Sequence, residues 1–149
     1  MIINVYTDAA HCHINKIGAC GYFIILEGGI VYKHSVVLVE LPQSHDAEAY
    51  AICLALQEIY LLHNVSKVIV YSDHDTSVLI INKEVKRKVI RLNEMYKELS
   101  EHIECFEEIG IPVKAWKVKA HANNKINTKV DISVRKQLRV FLKSISTKE

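Results

Sequence analysis

The chain has 149 residues, half hydrophobic and 24% charged, the balance of a globular protein of a single domain spanning 1–149. No apolar run approaches the roughly 18 residues of a membrane-spanning helix. The start, Met1-Ile2-Ile3-Asn4, lacks the positive flank and cleavage site of a secretory leader, so a cytoplasmic location is expected. Formal net charge is +2, yet residues 1–80 carry three Lys/Arg against eight Asp/Glu, and residues 81–149 carry sixteen against nine. An acidic half beside a basic half suits a protein that gathers cations next to a polyanion.

Ile2 to Thr7 is a short apolar run ending in Asp8, which predicts a first buried strand. His11-Cys12-His13 then reads as part of a polar loop, because it lacks zinc-ligand spacing. Gly21 to Leu26 is a second strand, Glu27-Gly28-Gly29 a turn, and Ile30 to Val39 a third strand, together an antiparallel meander. Pro42-Gln43-Ser44 stops it. Ser44 is the expected N-cap of a helix with Asp46 and Glu48 in its first turn, where negative charge suits the dipole. The stripe Ile52, Ala55, Leu56, Ile59, Leu62 has helical spacing, with Asn64 as its stop. Glu48 lies four residues before Ile52 and so projects inward, an expensive place for a carboxylate without a partner or a cation.

Lys67 to Ser72 predicts a fourth strand, reached from a helix and therefore parallel to the first. Thr76 to Glu108 is helical with a break near residues 82–85, closed by Gly110 and Pro112. Val113 to Val118 is a fifth strand, Lys119 to Thr128 a polar loop, and Val130 to Ser144 a final helix with Val134, Leu138 and Phe141 on one side. The cysteines, Cys12, Cys20, Cys53 and Cys105, form no C-x-x-C pair, which argues against a zinc ribbon or a thioredoxin-type site. Reduced thiols are expected.

Two strands end alike, Val5-Tyr6-Thr7-Asp8 and Val70-Tyr71-Ser72-Asp73. As parallel neighbours they bring both carboxylates to one sheet edge, the edge at which open α/β sheets bind ligands. Glu48 and Asp131 can reach the same place. Taken singly, an aspartate at a strand end also forms turns or caps helices. Four acids together repel and take up protons unless cations neutralise them. All-oxygen donors suit Mg²⁺ or Mn²⁺, and two such ions about 3.5–4 Å apart support phosphodiester hydrolysis.

The order and surroundings of these residues resemble type 1 ribonuclease H. The matching pieces are Tyr6-Thr7-Asp8, Ala47-Glu48 with Ala55-Leu56, Tyr71-Ser72-Asp73, Trp116-Lys117-Val118-Lys119-Ala120-His121, and Asn127-Thr128-Lys129-Val130-Asp131. The resemblance covers nearly the whole chain. It implies a ribonuclease H-like α/β fold: a five-stranded mixed sheet, three antiparallel strands then parallel crossovers, flanked by helices. By the same resemblance Asp8, Glu48, Asp73 and Asp131 hold two Mg²⁺ or Mn²⁺ ions, and His121 assists proton movement or product release. The implied activity is cleavage of the RNA strand of an RNA–DNA hybrid, with no obligate protein partner.

The chain also departs from the family. The loop after the first aspartate, Ala9 to Gly18, has one glycine; Ser44-His45 replace tandem asparagines; Asp75 stands where Gln or Asn is usual. Such positions contact the RNA strand and its 2′-hydroxyls. Ser44, His45, Asn15 and Asn127 are the candidate hydrogen-bonding contacts, whereas an ionised Asp75 cannot donate and repels phosphate. Lys83, Lys86, Arg87, Lys88 and Arg91 offer a modest phosphate-contacting patch, with Lys86 and Arg87 as its candidate contacts. Alternatives are a nuclease of this fold acting on structured DNA or duplex RNA, or a binding module that does not cleave.

Overall fold

The computed structural model describes residues 1–118 and 125–146. In chain order the elements are β1 (Ile2–Cys12), β2 (Ile17–Ile25), β3 (Val31–Glu40), α1 (Ser44–Tyr60), β4 (Lys67–Ser72), α2 (Asp75–Ile81), α3 (Arg87–Arg91), α4 (Glu94–Glu108), β5 (Val113–Lys117) and α5 (Lys125–Ser146). The sheet order is β3-β2-β1-β4-β5. β1 pairs antiparallel with β2, and β2 with β3; β4 runs parallel to β1 and to β5. This is the five-stranded mixed sheet that the sequence implies.

Strand side chains alternate between faces, and each face has its own helical cover. Ile3 and Val5 of β1, with Val68 and Val70 of β4, pack under Ile52, Leu56 and Ile59 of α1 and Leu99, Ile103 and Phe106 of α4. Tyr6, Ala10 and Cys12 point the other way, toward Val130, Val134 and Leu138 of α5, joined by Ile17, Ala19 and Phe23 of β2. Among the described residues no helix is long and apolar enough to cross a membrane.

The hairpin β1–β2 is longer than expected. β1 continues past Asp8 to Cys12, and β2 starts at Ile17 rather than Gly21. His11 and Cys12 therefore lie in a strand, not a loop. The reason is tertiary: Ala10, Cys12, Ile17 and Ala19 all find apolar cover under α5, a gain invisible to strand-by-strand reading.

Helix boundaries shift for similar reasons. Gln43, not Ser44, is the N-cap of α1, and its side chain makes no capping bond. With the helix starting at Ser44, only Asp46 falls in the first turn, so Glu48 sits just past it. α1 ends at Tyr60; Asn64 lies beyond it with φ 62°, and Leu62 packs on the core from the connection. The expected break near residues 82–85 is real, and Asn82 explains it. Its amide donates to the Ala115 carbonyl and accepts from the Ala115 N–H, both at 2.9 Å, tying the end of α2 to β5. A further break precedes α4, where Asn93 caps the N–H groups of Met95 and Tyr96. α5 begins at Lys125, before the expected Val130, because Asn127, Val130, Val134 and Leu138 form one buried row.

Candidate active site

The parallel pairing of β1 with β4 runs as far as Tyr6 opposite Tyr71. Asp8 follows Tyr6 by two residues within β1, so the pleat puts it on the same face as that tyrosine, and Asp73 comes directly after the last residue of β4. The two rings stack behind the acids, centroids 4.5 Å apart and 9° from parallel. Asp8 lies within β1 rather than at its end; what stops here is its parallel neighbour, since β4 ends at Ser72.

Glu48 reaches the same point from α1. Single carboxylate oxygens of Asp8, Glu48 and Asp73 lie within 4.8 Å of one another. Asp131 completes the group from α5 through a side-chain hydrogen bond with Asp8. Its own carboxylate is also met by Nε of Arg135 at 3.1 Å, one helical turn on.

Gly21 is what lets α5 come so close. It pairs with Asp8 across the hairpin, and a Cβ there would lie 2.5 Å from Cγ1 of Val134 and 3.2 Å from Cγ1 of Val130. A glycine inside a strand marks a close approach of this kind. Any larger residue would push away the helix that carries Asp131.

Packing acids together in a buried place favours their neutral forms. Asp8, only 5% exposed, has its acid pushed up to about 8, first by burial, then by the hydrogen bond its protonated form donates to Asp131 and the charge of Asp73, while the Ala9 N–H opposes the shift. Burial raises Glu48 well above the carboxylate range, and the charges of Asp8, Asp73 and Asp131 add to it. Asp73 is also raised by burial, with Lys117 pulling the other way. Ala9 N–H donates to Oδ1 of Asp8 at 2.9 Å, but among the described residues buried Oε2 of Glu48 has no hydrogen-bond partner. An orphaned acceptor among raised acids is the environment a hard divalent cation fits.

Other expected contacts are more dispersed. Ser44 is exposed and His45 half-buried at the start of α1, where the His45 ring lies 6.0 Å from that of Tyr96. Asn15 is exposed in the β1–β2 turn. Asn127 is buried, at 8% exposure, one turn before Asp131. Lys86 and Arg87 are exposed at the start of α3, and Arg87 lines a cleft with Lys83, Glu104 and Glu107 that none of the four acids enters. Asp75 is exposed at the start of α2, and its carboxylate meets Nζ of Lys117 at 2.6 Å. His121 lies outside the described residues.

Sequence reasoning missed Arg135, Lys117 and Gly21. The i, i+4 spacing of Asp131 and Arg135 was a visible signal, as was a glycine inside an apolar strand. Lys117 had none, since its pairing depends on β4 and β5 being neighbours. Arg135 and Arg139 also line an open cleft of about 480 Å³ that includes Asp131.

Comparison with known proteins agrees with this geometry. The RNase H family model matches residues 2–139. No curated protein sequence matches the chain. Among solved structures, ribonuclease H1 from the halophilic archaeon Halobacterium salinarum is similar with a TM-score of 0.67 at 13% identity, over 86% of this chain and 93% of that one. LC11-RNase H1, isolated from compost by a metagenomic approach, gives 0.68 at 20% identity, over 91% and 97%. The N-terminal RNase H domain of a Mycobacterium tuberculosis protein, solved as a fusion with maltose-binding protein, gives 0.69 at 12%, over 87% and 95%.

Proposed function

Since the chain belongs to the RNase H family and is a nuclease of that type, we propose that it hydrolyses the RNA strand of RNA–DNA hybrids with two divalent cations, Mg²⁺ or Mn²⁺. In this reading Asp8, Glu48, Asp73 and Asp131 are the metal ligands. The observation that carries it is the convergence of Asp8, Glu48 and Asp73 from β1, α1 and the end of β4, with Asp131 of α5 beside Asp8, around a buried oxygen of Glu48 that has no hydrogen-bond partner among the described residues. Two divalent cations held by these carboxylates would supply charge stabilisation and activation of water for phosphodiester hydrolysis.

The protein's own residues hold this geometry. Ala9 N–H fixes the Asp8 carboxylate, Arg135 pairs with Asp131, and Lys117 pairs with Asp75. Ser44 and His45 are the candidate donors to the RNA strand, and Lys86 and Arg87 the candidate sequence-independent phosphate contacts. His121 assists proton movement or product release.

A labelled RNA–DNA hybrid, incubated with Mg²⁺ or Mn²⁺ beside duplex RNA, duplex DNA and branched DNA, tests the proposal. The parent should cut the hybrid in preference, and Asp8→Asn or Asp73→Asn should lower the rate by at least ~10³-fold, as loss of one charge-stabilising group does. Absence of hybrid cleavage with either metal overturns the reading, and preference for another duplex reassigns the substrate.

A further inference from the structure

We propose that Cys53, Glu98 and His102 form a second metal site, for a borderline-soft divalent cation of the zinc class, which clips α1 to α4. The cluster is separate from the catalytic acids and is not used by the nuclease reaction. One ligand atom from each residue lies within 4.8 Å of the others. Glu98 and His102 are spaced i, i+4, which sets them on one face of α4, and Cys53 meets them from α1, fully buried.

The second observation is an orphaned nitrogen. Nε2 of His102 is buried and has no hydrogen-bond partner among the described residues; Oε1 of Glu98 stands 3.7 Å away, beyond hydrogen-bond range. A nitrogen withdrawn from water and left unpaired is costly, and a cation between it, the carboxylate and the thiolate removes that cost. Zinc bonds of about 2.0–2.3 Å at tetrahedral angles put ligand atoms roughly 3.3–3.6 Å apart, against a spread of at most 4.8 Å here. The fourth position faces an open cleft of about 490 Å³ lined by Gln57, Lys97 and Cys105 among others, where water can enter.

The donor set separates the two sites chemically. Sulfur, imidazole and one carboxylate select zinc-like ions, whereas the all-oxygen cluster selects Mg²⁺ or Mn²⁺. By joining α4 to the helix that carries Glu48, the clip serves stability rather than the bond-breaking step.

Cobalt(II), a spectroscopic stand-in for zinc, tests the assignment on the reduced full-length chain. One equivalent should produce a thiolate-to-cobalt charge-transfer band in the parent, in Asp8→Asn and in Cys105→Ser. His102→Gln should weaken Co²⁺ binding by at least ~10-fold, and Cys53→Ala should abolish the band. As Cys53 belongs to the core, the partly exposed His102 provides the arm that does not depend on a core substitution. Zn²⁺ at a hundredfold excess over its Kd should raise the Tm of Asp8→Asn by about 5–10 °C and leave Asp8→Asn/His102→Gln unmoved. Hybrid cleavage with Mg²⁺ should be the same in His102→Gln as in the parent. The proposal is overturned by absence of the band in the parent, by equal Co²⁺ affinity in His102→Gln, or by a band that survives Cys53→Ala and disappears with Cys105→Ser.

Discussion

Asp8 keeps its proton to about pH 8 in the metal-free protein, whereas an aspartate in the unfolded chain loses it near pH 3.8. Between those values the folded state holds more protons than the unfolded one, so stability must fall as pH rises through that window. Glu48 and Asp73, raised for the same reasons, add slope of the same sign. Urea denaturation in EDTA from pH 4.5 to 8.5 should therefore show declining stability, and Mg²⁺ or Mn²⁺ should restore most at the alkaline end. Asp8→Asn removes one charge from the cluster. It should stabilise the metal-free protein at pH 8 by about 1–3 kcal/mol and flatten the pH slope, even as it abolishes cleavage. A parent whose metal-free stability rises between pH 5 and 8 would contradict this electrostatic picture.

At the scale of elements, the site depends on how closely α5 lies on the β1–β2 hairpin. Gly21→Ala forces a Cβ against Val134, an overpacking of the kind that costs about 1–3 kcal/mol. Because α5 carries Asp131, a shift of the helix should also lower hybrid cleavage by roughly 10–100-fold. Adding Val134→Ala removes the clashing Cγ1 and should recover part of both losses; a single Gly21→Ala variant with parental stability and rate would contradict the role assigned to this contact. The same elements mark what could be read in advance. β4 is found at Lys67–Ser72 as expected, because an apolar run between helices admits one reading. The extension of β1 through His11-Cys12 and the early start of α5 were not legible, because polar-looking segments gained their order from each other's apolar faces. Asn127 shows this well: it reads as loop, yet is buried in the same row as Val130 and Val134.

Over the whole molecule, the acidic first half supplies Asp8, Glu48 and Asp73, while the basic second half supplies α3 and α5. Hybrid binding should accordingly weaken steeply with salt, and replacing Lys86 and Arg87 by alanine should reduce the slope of log K against log salt by about 1–2. An unchanged slope would remove those two residues from the phosphate path. The convergence of the acids was legible because strand order and parallel crossover follow from the succession of elements. The pairing of Asp75 with Lys117 was not, since it joins the first residue of α2 to the last of β5, a neighbourhood no local pattern specifies. The central claim is that four acids distant in the chain create one cation site, and Mn²⁺ uptake followed by electron paramagnetic resonance tests it most directly. The parent should remove free Mn²⁺ signal as protein is added, while Asp8→Asn and Glu48→Gln should leave most of it in solution. Equal uptake by parent and both variants would contradict the account.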